Sequence, residues 1–190
     1  MRPRELIRVH QLHRAIVRLD ALQYDRQANA RTAHLAALFA PPLEERLEAY
    51  EDIIDSEVGD TNMVRARNIE REMGFRQLYL KFEGGNPTGT QKDRIAFAQA
   101  MDALRRGYDA ITVATCGNYG AAMALACSLA GLRCLIYIPD SFHTKRIEEM
   151  TGIGAEILRV SGSYENAVEC SRQRAREEEI YDANPGGDNV

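Results

Sequence analysis

The sequence predicts an α/β fold, in which a twisted parallel sheet carries helices on both faces and follows a helical N-terminal extension. The first observation is the alternation of short apolar runs with helical segments between residues 111 and 183. The second is the run 134–139, which is continuously apolar, as in a strand that is covered on both faces. The third is the helical spacing of apolar residues in the first quarter of the chain.

The composition is that of a soluble globular protein of 190 residues, with 45% hydrophobic residues, 27% charged residues and a net charge of −4. No basic excess indicates a nucleic-acid partner. No apolar run reaches the roughly 18 to 20 residues that a membrane span requires. The longest candidate, 121–138, is interrupted by Ser128, Gly131 and Arg133. We therefore expect neither nucleic acid nor a membrane as a partner.

The four cysteines indicate no metal site. They occur at positions 116, 127, 134 and 170, form no C-x-x-C pair and match no zinc-binding spacing. Three of them lie in apolar elements, as small core residues do. Because the N-terminus also lacks the hydrophobic centre of a secretory signal, the sequence predicts a reducing, cytoplasmic location.

Residues 1–55 are predicted to form the helical N-terminal extension. Apolar residues recur with helical spacing at 5–22, 33–39 and 43–54. Pro41-Pro42 separates the last two segments. No motif of a functional site occurs here, so the apolar stripe predicts packing against the rest of the fold or against a partner subunit.

The rest of the chain divides into further helices and strands. Glycines mark the ends of three helices, at Gly74, Gly107 and Gly131, because a left-handed residue commonly terminates a helix. The predicted helices are 68–73, 95–104, 121–130, 143–150 and 163–179, and the predicted strands are 78–83, 111–114, 134–139, 154–160 and 180–183.

A glycine- and proline-rich turn at 84–94 leads from a predicted strand into a predicted helix and places Lys92 at the helix start. It is not a Walker A phosphate loop, because two residues separate Gly89 from Lys92 and Asp93 follows the lysine. The positive end of the helix dipole disfavours a protonated amine, so Lys92 is a candidate nucleophile that forms a Schiff base with a carbonyl. A solvated lysine at an ordinary turn is the competing interpretation.

A second turn, 115–120, also leads from a predicted strand into a predicted helix, at the sheet edge where α/β proteins place their sites. It lacks the G-x-G-x-x-G pattern of a dinucleotide site, and ordinary turn chemistry is the alternative explanation of Gly117 and Gly120. His143 and Lys145 follow the next strand and are candidates for contact with a substrate phosphate. Plain surface residues are the alternative interpretation of this pair.

The run Gly85-Asn86-Pro87-Thr88-Gly89-Thr90-Gln91-Lys92-Asp93-Arg94 resembles the lysine motif of the threonine synthases. These are members of the fold type II pyridoxal-phosphate enzymes, the tryptophan synthase β family. The family motif usually reads N-P-T-G-S-F-K-D-R, so Thr90 replaces Ser and Gln91 replaces Phe. The turn 115–120 resembles the family's S-[SAG]-G-N-x-[GA] loop, with Cys116 in place of the usual Ser.

The resemblance implies roles for residues of both turns. Lys92 carries pyridoxal 5′-phosphate (PLP) as a Schiff base, and Asn118 contacts the 3′-oxygen of the cofactor ring. The candidates for binding the substrate carboxylate are Thr115, Gly117, Asn118 and Tyr119. The cofactor stores negative charge while the released Lys92 removes the α-proton.

The resemblance implies a PLP-dependent lyase similar to threonine synthase, which converts O-phosphohomoserine to threonine and phosphate. A β-replacement enzyme (cysteine or cysteate synthase) and a serine/threonine dehydratase are alternatives within the family. A non-catalytic truncated module is the alternative from another class.

The resemblance begins at the segment 58–66, which is similar to the family's opening segment, and continues to about residue 185. Residues 56–190 therefore correspond to the N-terminal half of the catalytic region. In the family, the glycine-rich loop for the cofactor phosphate lies in the C-terminal half. The expected partners are an amino-acid substrate and either a second copy, giving a homodimer, or the missing C-terminal half.

Overall fold

The computed structural model describes residues 42–186 of the chain. The chain divides into two units, residues 1–45 and 46–190, and only residues 42–45 of the first unit are described. The helices predicted at 5–22 and 33–39 lie outside the described residues. The predicted boundary between the extension and the catalytic region, after residue 55, stays a prediction.

Helices and strands follow one another along the described chain. The helices are α1 (Leu43–Glu57), α2 (Arg67–Met73), α3 (Lys92–Arg105), α4 (Asn118–Ala130), α5 (Ile147–Gly152) and α6 (Tyr164–Glu178). The strands are β1 (Met63–Arg65), β2 (Tyr79–Lys81), β3 (Ala110–Ala114), β4 (Arg133–Pro139), β5 (Glu156–Val160) and β6 (Tyr181–Asp182). The helix predicted at 143–150 begins later, at Ile147, and a short 3-10 helix covers Glu83–Gly85.

Four parallel strands form the main sheet, in the order β5-β4-β3-β6. In the two central strands Val113 lies opposite Ile136, and Ile136 lies opposite Ile157 of β5. The edge strand β6 pairs with β3 through Tyr181, which lies opposite Ile111. This sheet confirms the predicted α/β class.

The strand β2 lies outside the parallel sheet. It pairs antiparallel with β1, with Val64 opposite Leu80, in a separate two-stranded sheet. The apolar run at 78–83 predicted a strand, but no strand was predicted at 63–65. The reason is that β1 has only three residues, so its sequence carries too short a pattern to indicate a strand.

Helices cover both faces of the parallel sheet, as predicted. On one face Phe97 of α3 and Met123 of α4 belong to the same buried cluster as Ile111, Val113 and Ile136 of the strands. Burial of these large apolar side chains is the main favourable contribution to folding on this face.

The second face is covered by α6. Its alanines Ala167 and Ala175 pack with Ala114, Leu135 and Tyr137 of the two central strands. The small alanines let the backbone of α6 lie close to the sheet. The N-terminus of α6 is fixed by Ser163, whose hydroxyl accepts a hydrogen bond from the backbone N–H of Asn166 in a reciprocal capping box.

Two helices begin three residues earlier than predicted, and this difference matters for the site. α3 begins at Lys92 instead of 95, and α4 begins at Asn118 instead of 121. The first residues of both helices are polar or glycine, so apolar periodicity does not include them. Lys92 and Asn118 are therefore the first residues of their helices.

The described part of the chain contains no helix that is both long and apolar enough to cross a membrane. Within residues 42–186, no three His, Cys, Asp or Glu side chains are grouped as metal ligands. All four cysteines are free thiols, and Cys127 and Cys134 are buried.

Phe97 tests the packing of α3 on the sheet. Its side chain is fully buried and stacks on Tyr50 of α1, with ring centroids 5.9 Å apart. We expect Phe97→Ala to lower the free energy of unfolding by about 3 to 5 kcal/mol, because it removes buried area and leaves a cavity. The measurement is equilibrium urea unfolding followed by circular dichroism.

The control is Ile95→Ala on the same helix, where the side chain is 41% exposed and a change below about 1 kcal/mol is expected. Equal losses would contradict the packing described here.

Candidate active site

The candidate site lies at the carboxyl edge of the parallel sheet. β3 ends at Ala114 and β4 at Pro139, so the loops that follow both strands emerge at this edge. α3 leads into β3 and α4 leads out of it, so the first residues of both helices face the same edge. In open α/β sheets this edge is where ligands bind.

Lys92 is exposed at the first position of α3. Its backbone N–H donates a hydrogen bond to the hydroxyl of Thr90, at 3.2 Å. Within residues 42–186 its side-chain amine has no hydrogen-bond or ion-pair partner. The amine is therefore available for covalent chemistry with a carbonyl.

The loop before Lys92, residues 84–91 (the lysine loop), is held by the fully buried Asp93. One oxygen of this carboxylate accepts a hydrogen bond from the Thr88 N–H at 3.0 Å, and the other accepts one from the Thr88 hydroxyl at 2.7 Å. Asp93 lies in the first turn of α3, where the helix dipole stabilises a negative charge. These contacts fix the loop directly in front of Lys92.

A second set of contacts ties the lysine loop to the segment before β1. Asn86 is buried; its Oδ1 accepts a hydrogen bond from the Gly59 N–H at 2.9 Å, and its Nδ2 donates to the Glu83 carbonyl at 2.8 Å. Arg94 forms a two-pronged ion pair with the Glu83 carboxylate, at 2.8 and 2.9 Å. Hydrogen bonding from Arg94 lowers the pKa of Glu83 to about 2.

The turn between β3 and α4, residues 115–117 (the glycine loop), is open on one side. A Cβ added at Gly117 would meet no atom within 4 Å. Thr115 is buried, whereas Asn118 is exposed at the start of α4. The first bond of α4 runs from the Ala121 N–H to the Gly117 carbonyl at 3.1 Å, so the preceding N–H groups point out of the helix end. Such an end suits a carboxylate ligand.

Gly120 lets the glycine loop lie directly against α4. A Cβ at this position would come within 2.7 Å of the Met150 sulfur and 2.8 Å of a Thr115 methyl carbon. A residue with a side chain therefore does not fit here without displacing α5 or the loop.

The side chain of Tyr119 points away from this edge and into the protein. Its hydroxyl donates to the Ala183 carbonyl at 2.8 Å and also contacts the amide of Gln99. Burial raises the pKa of Tyr119. Any contact of Tyr119 with a ligand at the helix end therefore involves its backbone N–H and not its hydroxyl.

Arg146, in the segment between β4 and α5, brings the two loops together. Its Nη2 donates to the Thr88 carbonyl at 3.0 Å, and its Nη1 donates to the Asn118 Oδ1 at 2.9 Å. The same guanidinium pairs with Glu149 through two contacts of 2.8 Å. The lysine loop and the residue at the start of α4 are therefore joined through one side chain.

The sequence pattern indicated two neighbours of Arg146, His143 and Lys145, but not Arg146 itself. Both neighbours are exposed, and neither side chain has a hydrogen bond or ion pair within the described range 42–186. The available signal was the Arg146–Glu149 pair, which has i,i+3 spacing at the start of a helix after a buried strand. That spacing is common on helix surfaces, so it does not single out a site.

Comparison with known proteins identifies the family. A family model described as "Pyridoxal-phosphate dependent enzyme" matches residues 54–190. The chain belongs to this family. The match includes both the lysine loop and the glycine loop, and the predicted resemblance to PLP-dependent enzymes is confirmed.

Relatives with different activities are similar to this chain. The threonine synthase of Methanocaldococcus jannaschii is 32% identical over 124 residues, which cover 65% of this chain and 31% of the relative. Cysteine synthase B of Escherichia coli is 33% identical over 128 residues, which cover 65% of this chain and 41% of the relative.

A solved structure, a PLP-dependent aspartate racemase, shares the fold with a TM-score of 0.62 at 24% identity, covering 79% of this chain and 48% of that chain. The matched region thus spans between about a third and about a half of the length of these proteins.

The residues at the sheet edge fit PLP, the cofactor of this family. The aldehyde of PLP forms a Schiff base with a free amine. The Lys92 amine has no hydrogen-bond or ion-pair partner among residues 42–186. The open side of Gly117 leaves room beside the start of α4. The roles of Lys92, Thr115, Gly117, Asn118 and Tyr119 stay predictions.

Gly120 provides a test of the contact between the glycine loop and α4. Gly120→Ala should lower the free energy of unfolding by about 1 to 3 kcal/mol, because the new methyl group overlaps Thr115 and Met150. Gly152→Ala is the control, since a Cβ there meets no atom within 4 Å and alanine is the better helix former. Equilibrium chemical unfolding of both variants is the measurement. If Gly120→Ala is as stable as the wild type, the close approach is wrong.

The Glu83–Arg94 pair predicts a pH dependence of stability. Because the pKa of Glu83 falls from 4.5 to about 2 on folding, its ionised form stabilises the fold above pH 4.5, and this contribution is lost as the pH falls from 4.5 towards 2. Glu83→Gln should therefore flatten the pH dependence of the free energy of unfolding in this window.

The control for this pH test is Glu48→Gln. Glu48 is exposed on α1 and makes no ion pair within residues 42–186. The same change of charge at this position should leave the wild-type pH dependence in place. A wild-type slope that Glu83→Gln does not alter would contradict the effect assigned to Arg94.

Proposed function

We propose that this chain provides the lysine-bearing part of a PLP-dependent lyase similar to threonine synthase, with the cofactor held covalently by Lys92. The observation that carries the proposal is the geometry of the sheet edge. An exposed lysine amine, unpartnered within the described residues 42–186, begins one helix, and Arg146 joins its loop to Asn118 at the start of the next. The motif around Lys92 and the similarity to threonine synthase support the choice of reaction.

In this proposal Lys92 has two tasks. Its amine binds the cofactor, and after a substrate amine has taken its place it is the base that accepts the α-proton. The bound cofactor supplies the electron sink for the negative charge that then develops. Asp93 keeps the lysine loop in place through Thr88, so the amine returns to a fixed position.

The start of α4 is proposed to bind the substrate carboxylate. The N–H groups of Asn118 and Tyr119 precede the first hydrogen bond of the helix, where an anion is favoured. Thr115 and Gly117 line the same turn, and Asn118 is proposed to contact the 3′-oxygen of the cofactor ring. The substrate of this proposal is O-phosphohomoserine, and its products are threonine and phosphate.

A β-replacement enzyme similar to cysteine synthase is the second candidate. Cysteine synthase B of Escherichia coli is as similar to this chain as the threonine synthase is, with 33% identity over 128 residues. Gln91 also replaces the phenylalanine that the threonine synthase motif usually has beside the lysine. Product analysis separates the two: phosphate and threonine from O-phosphohomoserine, or a new carbon–sulfur bond from an activated serine and sulfide.

We further propose that the exposed sheet β1–β2 is a surface through which the described chain associates, either with a second copy or with the C-terminal half of the family's catalytic region. The two-stranded sheet β1–β2 is exposed, and Met63, Val64, Leu80 and Phe82 present apolar side chains that are between 47% and 65% exposed. Apolar patches of this kind commonly mark association surfaces, and a two-stranded sheet is marginally stable alone.

A cytoplasmic setting is proposed from the cysteines. Cys127 and Cys134 are buried neighbours whose thiols interact, yet both are free. Burial raises the pKa of Cys127 well above its usual value, so the thiol is neutral. Adjacent free thiols are typical of a reducing compartment.

The deciding experiment is covalent labelling of the lysines. The sequence contains three, Lys81, Lys92 and Lys145. The purified chain is incubated with PLP, reduced with borohydride and mapped by peptide mass spectrometry. We expect one label per chain, on Lys92, because only this lysine begins a helix of the site.

Lys145 serves as the matched control because its side chain, like that of Lys92, is exposed to solvent. Lys92→Ala should lose the label and any turnover, whereas Lys145→Ala should keep the label. Equal labelling of Lys92 and Lys145 would show non-specific reaction and would contradict the proposal. Absence of any label would show that this chain does not hold the cofactor without a partner half and would contradict cofactor binding by the chain alone.

A further inference from the structure

The guanidinium of Arg146 fixes which way the side-chain amide of Asn118 faces. A guanidinium has only N–H donors, so the amide atom 2.9 Å from Arg146 Nη1 must be the acceptor, Oδ1. The amide is planar, so the position of Oδ1 also sets the position of Nδ2, on the opposite side from Arg146. Within residues 42–186, Nδ2 has no hydrogen-bond partner. Its two N–H donors are therefore free for a ligand.

Arg146 is itself held in one orientation. Glu149 accepts hydrogen bonds from Nε and from Nη2, each at 2.8 Å, and the Thr88 carbonyl accepts another from Nη2 at 3.0 Å. The Arg146 side chain is 23% exposed. Hydrogen bonding to Glu149 raises the pKa of Arg146, so the guanidinium stays charged and cannot become an acceptor. Because Glu149 and Thr88 both hold the planar guanidinium, Arg146 is a rigid hydrogen-bond donor to the Asn118 amide.

We propose that Arg146 is a positioning residue that acts through Asn118: it turns the Asn118 amide so that Nδ2 is presented as a donor to the cofactor. The inference rests on the proposed function, in which Asn118 contacts the ring oxygen of PLP. Because the same guanidinium binds the Thr88 carbonyl, it also ties the direction of this donor to the position of the lysine loop. Nothing in the arrangement requires Arg146 to touch the cofactor or the substrate.

The orientation has a chemical consequence for a bound ring hydroxyl. A hydrogen bond to the charged form of a group favours that form. An Asn118 donor at the 3′-oxygen therefore favours the ionised oxygen. If Arg146 is lost and the amide rotates, the ring hydroxyl should ionise at a higher pH. A role of Arg146 that was only structural would not produce this spectral change.

The first test uses the chain without cofactor. Nitrogen-15 relaxation of the Asn118 side-chain NH2 reports whether the amide is fixed. We expect a rigid amide in the wild type and a mobile one in Arg146→Gln. Arg133→Gln is the matched control, because Arg133 is exposed at the other end of β4 and its side chain makes no hydrogen bond or ion pair within the described residues. An amide that is equally mobile in the wild type and in Arg146→Gln would overturn the proposal, whether or not PLP binds.

The second test measures cofactor binding by absorbance titration. Arg146→Gln and Asn118→Ala should each weaken PLP binding about tenfold, and the double variant should be no weaker than Asn118→Ala alone. The pH at which the spectrum of the bound cofactor changes should rise in Arg146→Gln. Losses that multiply in the double variant would show that Arg146 does not act through Asn118 and would overturn the proposal.

Two further measurements distinguish a failure of the Arg146 proposal from loss of the fold and from failure of the proposed function. Equilibrium unfolding of Arg146→Gln shows whether the fold is retained; if it is not, Arg146→Lys replaces it, since lysine keeps the charge but lacks the fork and should show the same loosened amide. Labelling of the wild type at Lys92 tests the proposed function independently. A wild type that labels at Lys92 while Arg146→Gln binds PLP unchanged would refute the role of Arg146 and leave the proposed function standing.

Discussion

The site depends on Thr88, whose three polar backbone and side-chain groups are all bonded by charged side chains. Its N–H and hydroxyl donate to the buried Asp93, and its carbonyl accepts from Arg146. A buried carboxylate is costly unless it is hydrogen-bonded, so Asp93 and Thr88 require each other. The charge of Arg146 also interacts with Asp93. Thr88 is therefore held from both sides. This fixes the lysine loop and, with it, the position of Lys92 at the start of α3.

Packing of small residues brings the two helix starts to this point. Within the described chain α4 is rich in alanine and buried around most of its circumference, so α3 and the sheet both approach it closely. Gly120 extends this close approach to the first turn, where an added Cβ would overlap Thr115 and Met150. Larger residues at these places would separate the glycine loop from α5, and with it Asn118 from Arg146. The apolar core thus sets the distance over which the polar contacts of the site act.

The sequence predicted what depends on local pattern and missed what depends on contacts between distant residues. The continuous apolar run 134–139 correctly indicated β4, and shorter or mixed runs indicated the other strands of the parallel sheet. Gly74 and Gly131 correctly marked helix ends. The polar first turns of α3 and α4 escaped because apolar periodicity does not reach them. The pairing of β1 with β2 depends on contacts between separate segments of the chain. Arg146 likewise contacts Asn118 and Thr88, which lie 28 and 58 residues away in the sequence. The sequence motifs indicated Lys92 and Asn118 of the proposed site. No motif indicated Arg146, which joins the lysine loop to Asn118.

The reaction is harder to assign than the family. The threonine synthase and the cysteine synthase are about equally similar to this chain, at 32% and 33% identity, so similarity does not separate the two reactions. Selectivity must then come from positions that depart from the common pattern. Cys116 is one: burial raises its pKa, so it is a neutral thiol, and a thiol is a weaker hydrogen-bond donor than the serine hydroxyl the family usually has. In the proposed site the backbone N–H groups of α4 would therefore contribute more to carboxylate binding than the Cys116 thiol does. Gln91 adds a polar group next to Lys92, where the family motif usually has phenylalanine.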